Sequence, residues 1–520
     1  MTLRRGFGGY ALSCLIFASA AMAQEITLSS RDGGASVTGQ FLSFDGEFYR
    51  IDTEYGPLTI DGTGVNCDGS ACPNLIDFVA KLRIAGAAPV AETVIPVLIA
   101  SFSETHGFDL ETQVVSSGRT VFSLVDGETG APAAIITVDA STSTAGIEAL
   151  LNNDADIALA TREVTKGERA RAEDPSGIYS GLGPEMIVAL DGLVPVVSPF
   201  NPVSSIRILD MSRLYKGEIA NWQELGGVDA PIYLHGRSAG TDIAAVMSDK
   251  VLSLDTSIVA ENMMLHDSDA EVAAAVLEDP FAIGFTTLAA KGDAKALHLT
   301  SDCGYLSSAT PRNLKSEDYP LTMPAFFYVR RQRLPALGRE FLRFTQTPLA
   351  QAAIAGQGYV DQRFDTITMG EQGNRLVKAI ANLGEDANTD DLKRLVEELG
   401  QAHRLTITFR FENGSANLDA PSRANVGYLA RMLEGRLVPG TEVVFSGFSD
   451  GTGSPEANMK LSEKRARAVR DAAEKAIGGE SAADIGYRFT VLGFGETMPI
   501  SCDDSDWGRQ INRRVEIWVR

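Results

Sequence analysis

The chain has 520 residues, 22% of them charged, and a formal net charge of −22 at pH 7. A surface this acidic repels nucleic acid and anionic lipid, so any anion site has to work locally rather than through the overall field. The length calls for two or three domains, and the five histidines are too scattered to form a metal site.

Residues 1–23 read as a cleavable signal peptide. Arg4 and Arg5 precede an apolar run too short to span a bilayer, and Ala21-Met22-Ala23 supplies the small-x-small cleavage pattern. Arg4-Arg5-Gly6-Phe7 also suits twin-arginine export, and Cys14 after Leu12-Ser13 is a faint lipoprotein signal that would leave much of the apolar run behind it. Export is expected to deliver the chain to an oxidising compartment, which allows disulfides. Cys67 and Cys72 enclose Asp68-Gly69-Ser70-Ala71 and are expected to staple a small loop. Elimination leaves Cys303 and Cys502, a pairing that sequence does not establish.

Residues 24–78 alternate apolar with polar side chains between the turn pairs Asp32-Gly33, Asp45-Gly46 and Tyr55-Gly56, which predicts a small β-rich module with little core of its own. From 79 to 363, short apolar strands alternate with amphipathic helices. KLRIAGAA, GAPAAIITVDA, ADIALAT, MIVALDGLVPVVS, PIYLHG and FAIGFTT read as strands, and VAETVIPVLIASFSETHG as a helix. The pattern predicts α/β layers and is long enough for two lobes. Residues 364–402 are polar and helix-prone, with a capped start in NTDDLKRLVEEL, and are expected as a helical linker or as packing for the last domain. From 403 to 520 the order strand, helix, strand, helix, strand predicts a C-terminal α/β domain of βαβαβ type. The fold class is thus α/β multidomain.

The stretch Leu190–Gly227 contains Asp191-Gly192, then Asn201-Pro202, then Gly217-Glu218-Ile219-Ala220-Asn221-Trp222-Gln223-Glu224-Leu225-Gly226-Gly227. It resembles the PstS-type periplasmic phosphate-binding proteins, and the likeness extends in the family's order over about 82–360. The resemblance implies two α/β lobes joined by crossing strands, with a small oxyanion held between them. By position, Ser143 and Thr144 match the first-lobe hydroxyl loop, Thr161 and Arg162 the next site turn, and Arg237, Ser238, Gly240 and Thr241 the second-lobe anion loop.

Elementary chemistry supports that last loop independently. Glycine permits close backbone approach, the following TDIAAVMSDKVL starts a helix with outward N–H groups, and Arg237 offers a two-pronged bond to an oxyanion. An ordinary helix cap at Ser238–Thr241 and a solvated Arg237 are the bland alternative. Three departures leave the ligand open between phosphate, another small oxyanion and a degenerate cleft. Gly86-Ala87-Ala88-Pro89 replaces a hydroxyl-bearing turn, the Arg237 loop is short, and Arg162 stands where some members carry aspartate.

The segment FSGFSDGTGSPEANMKLSEKRARAV places Asp450 in a glycine-flanked turn and Arg465 inside the next helix. With GFGETMPI and GRQINRRVEIWV further on, it resembles the peptidoglycan-binding OmpA C-terminal-like family. The resemblance implies that Asp450 pairs with the ammonium of a diaminopimelate side chain and Arg465 with its carboxylate, with Ser449 and Asn458 at the site and backbone N–H groups around Ser449 and Gly451 helping to hold the carboxylate. Capping by Asp450 and a surface ion pair by Arg465 are the alternative, worth about 0–1 kcal/mol. Phe448 replaces the family's usual histidine, and Arg509, Arg513 and Arg514 include one supporting arginine that sequence does not rank.

The expectation is a periplasmic, peptidoglycan-associated binding protein for phosphate or another small oxyanion, without cofactor, metal or catalytic constellation. His235 beside Gly236-Arg237 lacks the surroundings of a nucleophile system. An inner-membrane ABC permease is the further partner the resemblance implies. The alternative is a structural envelope protein whose cleft is idle.

Overall fold

The computed structural model describes residues 25–31, 33–73, 78–173, 181–252, 262–331, 334–381, 389–412, 415, 417–478 and 481–520. The expected signal peptide, Asp32 of the first expected turn and part of the expected linker lie outside the described residues. Two compact units divide the chain near Phe78.

The first unit is a five-stranded antiparallel sheet. Its first strand, Glu25–Ser30, lies between Ser36–Phe44 and Val65–Asp68, and the hairpin partners Phe48–Thr53 and Gly56–Asp61 follow outward. Its core is small: Ile26, Leu28, Tyr49 and Ile51. The Cys67–Cys72 disulfide closes the loop after the last strand.

The second unit begins with the two-lobed architecture. In the first lobe, Ala80–Ala87 runs parallel to both Pro132–Ser141 and Ile157–Ala160, and the hairpin Phe108–Ser116 with Arg119–Asp126 extends the sheet. In the second lobe, Tyr233–Arg237 runs parallel to Met264–His266 and Ala282–Thr287.

Two long strands join the lobes. Met186–Val197 pairs through its first half with Thr322–Val329 and through its second half with Ala282–Thr287. Thr322–Val329 pairs in turn with Ile157–Ala160 of the first lobe. Buried on both faces, these strands read as nearly unbroken apolar runs. The chain then returns to the first lobe, where Phe341 and Phe344 pack edge-on against Phe102.

The C-terminal sheet has the order Thr366–Thr368, His403–Arg410, Arg514–Val519, Glu442–Gly447, Arg488–Gly493. Helices Ala420–Glu434 and Pro455–Ala476 cover one face, burying Leu429, Leu433 and Val469 against Phe409, Phe445 and Ile517. Residues 364–402 are not a free helical linker. Thr366–Thr368 is the edge strand of this sheet, and helices Gly373–Ala381 and Thr389–Leu399 bury Ala379, Leu395 and Leu399 against Val444, Phe448 and Trp518 on its other face. Their apolar stripes made them helices; the uncovered sheet face made them part of the domain.

The C-terminal domain is held to the lobes by covalent and ionic ties. The Cys303–Cys502 disulfide joins it to the second lobe. Arg404 pairs with Asp318 at 2.8 Å and Arg423 with Glu185 at 3.0 Å, while Arg410 Nη2 donates to the Glu317 carbonyl at 2.6 Å.

Candidate functional site

Between the lobes lies a cavity of about 80 Å³, lined among others by Thr161, Asp191, Arg237, Thr241, Asp242 and Asp269. Arg237 ends the strand Tyr233–Arg237, and Gly240 turns the chain at φ +93° into the helix Asp242–Lys250, with open space where a side chain would stand. The glycine is therefore required by the left-handed turn rather than by a close approach. Thr241 caps that helix by accepting the Ala244 N–H, and Ser238 offers its carbonyl to the Thr241 hydroxyl.

Thr161, Arg237 and Thr241 reach the cavity, whereas Ser143, Thr144, Arg162, Ser238 and Gly240 are not part of its lining. Ser143 is fully buried; its hydroxyl accepts the Thr161 N–H at 2.9 Å. Arg162 turns away to Glu168, donating at 2.7 and 2.9 Å, and donates also to the Thr144 hydroxyl. Against the effect of burial, Arg162 and the Thr165 amide hold Glu168 down at about 2. A neighbouring carboxylate thus consumes the expected site arginine.

Three aspartates that sequence reasoning did not assign to the site line the cavity. Asp191, buried in the first crossing strand, accepts from the Gly192 and Ala289 N–H groups, and burial pushes it up to about 6. Burial also raises Asp242 and Asp269, the latter against the pull of Arg237. Asp269 lies 3.2 Å from Arg237 Nε. That pair is off hydrogen-bonding geometry, and Arg237 Nε and Nη1 are buried without a hydrogen-bond partner among the described residues. A charged residue inside the apolar run MIVALDGLVPVV was the visible signal for Asp191; Asp242 and Asp269 stand in the first turns of their helices, where acids are common for reasons unrelated to a site.

In the C-terminal domain, the strand Glu442–Gly447 delivers Asp450 to a turn beside the helix Pro455–Ala476, which carries Asn458 and Arg465. Gly447 allows this approach, because a Cβ there would lie 2.0 Å from the Ser462 carbonyl oxygen. Arg513 Nη1 donates to Asp450 Oδ2 at 2.8 Å, and the Thr452 N–H donates to Oδ1 at 3.0 Å. Although burial opposes it, these donors hold Asp450 below the usual carboxylate range.

Arg465 is 5% exposed, and its Nε and Nη1 have no hydrogen-bond partner among the described residues. Its guanidinium lies 5.3 Å from the centroid of the Phe411 ring. Burial and then Arg513 push its pKa down, while Asp450 pulls it up, so the three charges form one electrostatic neighbourhood. Ser449 is buried with its hydroxyl unpartnered among the described residues, and Asn458 donates to Glu496 at 3.1 Å. The Gly451 N–H, expected to help a ligand carboxylate, donates to Asp503 at 2.7 Å.

The structure ranks the three late arginines. Arg513 is the one at Asp450; Arg514 is fully buried against Glu516 at 2.7 Å, and Arg509 turns to Asp506 and the Asp503 carbonyl. Phe448 is buried beneath the Arg514 guanidinium, which lies 4.1 Å from the Phe448 ring centroid.

Residues 62–348 match the family described as PBP superfamily domain, and residues 410–513 match the OmpA family. The phosphate-binding protein PstS of Bacillus subtilis is 29% identical over 192 residues, 36% of this chain and 61% of that protein. Outer membrane porin F of Pseudomonas aeruginosa is 32% identical over 139 residues, 27% of this chain and only 36% of the porin. The peptidoglycan-associated lipoprotein of Pseudomonas putida is 31% identical over 138 residues, 26% of this chain and 76% of the lipoprotein. By these matches the chain belongs to the PBP superfamily over more than half its length and carries an OmpA family domain behind it.

Proposed function

We propose that this protein is a receptor of the bacterial envelope that captures phosphate or a similar small oxyanion between its lobes and is tied to peptidoglycan by its OmpA domain. One observation carries the reading: among the described residues, each domain holds an arginine with buried N–H groups that make no hydrogen bond, Arg237 in the interlobe cavity beside Asp269 and Arg465 beside Asp450. Buried guanidinium N–H groups left without hydrogen bonds cost roughly 1–3 kcal/mol, a cost that a bound oxyanion or carboxylate removes. At the C-terminal site, Arg465 takes the carboxylate of a diaminopimelate side chain and Asp450 its ammonium. The likeness to a PstS protein and to a peptidoglycan-associated lipoprotein supports both halves. Residence in the periplasm follows from this reading, as does binding rather than catalysis. An inner-membrane ABC permease is the partner it calls for if the captured ion is imported.

A second reading, an envelope scaffold with an idle cleft, is favoured by the carboxylates that already face Ser143, Arg162 and Arg237. Calorimetry of the full chain with phosphate and with sulfate separates the two. Saturable heat that Arg237→Ala removes, with the fold intact, supports the receptor; absence of heat for both ions supports the scaffold.

A further inference from the structure

Of the first-lobe groups expected to hold an anion, the Ser143 amide and Arg162 already face carboxylates of the chain, and the more telling case crosses the cleft. The N–H of Ser143 opens the helix Ser143–Leu151 of the first lobe and donates to Asp242 Oδ1 at 3.0 Å and to Oδ2 at 3.2 Å. Asp242 belongs to the other lobe, 99 residues away in sequence. It is not capping its own helix, since Thr241 does that by accepting the Ala244 N–H, and Thr142 caps the first-lobe helix through Ala145. Asp242 also lines the interlobe cavity, beside Thr161 and Arg237.

The chemistry of this contact is that of a ligand. A carboxylate resembles an oxyanion in charge and in its paired oxygens, and it rests on a backbone donor at the positive end of a helix. Here the anion is tethered to the opposite lobe, so occupying the donor also draws the lobes together. An external oxyanion closes such a cleft by touching both lobes; Asp242 makes that bridge from within the chain. The acid is held there despite burial that raises its pKa.

We propose that Asp242 is a built-in rival to the ligand: its carboxylate latches the lobes together at the Ser143 amide, and an oxyanion entering the cleft has to displace it. The inference rests on the oxyanion reading of the cleft for its affinity consequence, while the latch itself is measurable without any ligand. Asp242 thereby sets which anions are bound. A weakly held ion leaves the latch shut, and only one that gains enough from Arg237 and Thr161 replaces it.

The test uses the full chain and two variants, Asp242→Asn, which keeps the shape and removes the charge, and Asp242→Ala, which removes the contact. Without ligand, hydrogen exchange of the segment around Ser143 is expected to accelerate on the order of 10- to 100-fold in Asp242→Ala, the factor carried by a hydrogen bond to a charged group. The affinity for inorganic phosphate, read by calorimetry, is expected to rise by a similar factor in both variants. Unchanged exchange in Asp242→Ala, or phosphate affinity that falls in Asp242→Asn, overturns the proposal. Accelerated exchange with no phosphate or sulfate binding in any form supports the latch and overturns the oxyanion reading instead.

Discussion

Arg513 donates to Asp450 at 2.8 Å, while Arg465, on the neighbouring helix, keeps Nε and Nη1 without hydrogen-bond partners among the described residues. The two charges expected to grip a zwitterion therefore stand in different states. The carboxylate is already paired with Arg513, and two buried N–H groups of the guanidinium are held in reserve. A ligand ammonium has to share Asp450 with Arg513, whereas a ligand carboxylate meets Arg465 donors that no hydrogen bond occupies among the described residues. The C-terminal site should consequently depend more on Arg465 than on Asp450.

Sedimentation with purified cell wall measures this directly. Arg465→Met is expected to weaken binding by about tenfold or more, the scale of one lost charge-assisted bond. Asp450→Asn should weaken it less. Because Arg465 Nε and Nη1 are buried without hydrogen-bond partners among the described residues, its replacement by an apolar side chain should leave the melting temperature unchanged or raised, so the loss is not one of folding. Equal pelleting of wild type and Arg465→Met would remove Arg465 from the wall contact.

Gly447→Ala tests the scaffold of the same site. The added methyl would press on the Ser462 carbonyl and approach the Ala466 Cβ at 3.3 Å, forcing the strand that presents Asp450 off the helix that carries Arg465. Chemical denaturation should show a loss of about 1–3 kcal/mol, the usual cost of overpacking.

The Cys303–Cys502 bridge spans 199 residues and joins two domains. Replacing both cysteines by serine is expected to cost about 2–4 kcal/mol, largely through the freedom returned to the unfolded chain. Calorimetric melting should then resolve the C-terminal domain as a separate transition; a single unaltered transition would show that the ionic contacts suffice.

Glu317 sits where the C-terminal domain meets the lobes. Burial and the neighbouring Asp419 carboxylate push it up to about 8, against the pull of Arg410 and Lys250 and with Glu163 also nearby. An acid whose folded value is raised holds its proton longer in the native state, so stability falls as pH climbs from the ordinary carboxylate range to about 8. Between pH 6 and pH 8 the wild type should lose roughly 1–3 kcal/mol that Glu317→Gln retains, at 1.36 kcal/mol per pKa unit and allowing for relaxation at the junction. Denaturant titrations at the two pH values read the difference.

The alternation of apolar runs with helical patterns carried the α/β layers, and MIVALDGLVPVV was legible as a strand; that it crosses between the lobes shows only in its pairing. The motif spacing from Asp450 to Arg465 carried the C-terminal site. Residues 364–402 were harder to read. A polar amphipathic helix looks the same whether it spans solvent or covers a sheet, and the uncovered face carrying Val444, Phe448 and Trp518 settles which. Arg162 shows the same limit: its partner Glu168, six residues on, turns it away from the cavity.

What the sequence determined by itself is what lies in local periodicity and in motif spacing: strands, helices, turn glycines, the order of domains, and the places of Arg237 and Asp450 as charges near turns and of Arg465 as a charge inside a helix. What only the tertiary structure decided is which charges are spent and which are free. Asp242 reaches Ser143, Glu168 takes Arg162 and Arg513 takes Asp450, while Arg465 keeps unused donors. Pairing of this kind depends on distances of a few ångströms between segments far apart in the chain, and the strength of each pair depends on burial; neither is written in the spacing of residues along a single strand or helix.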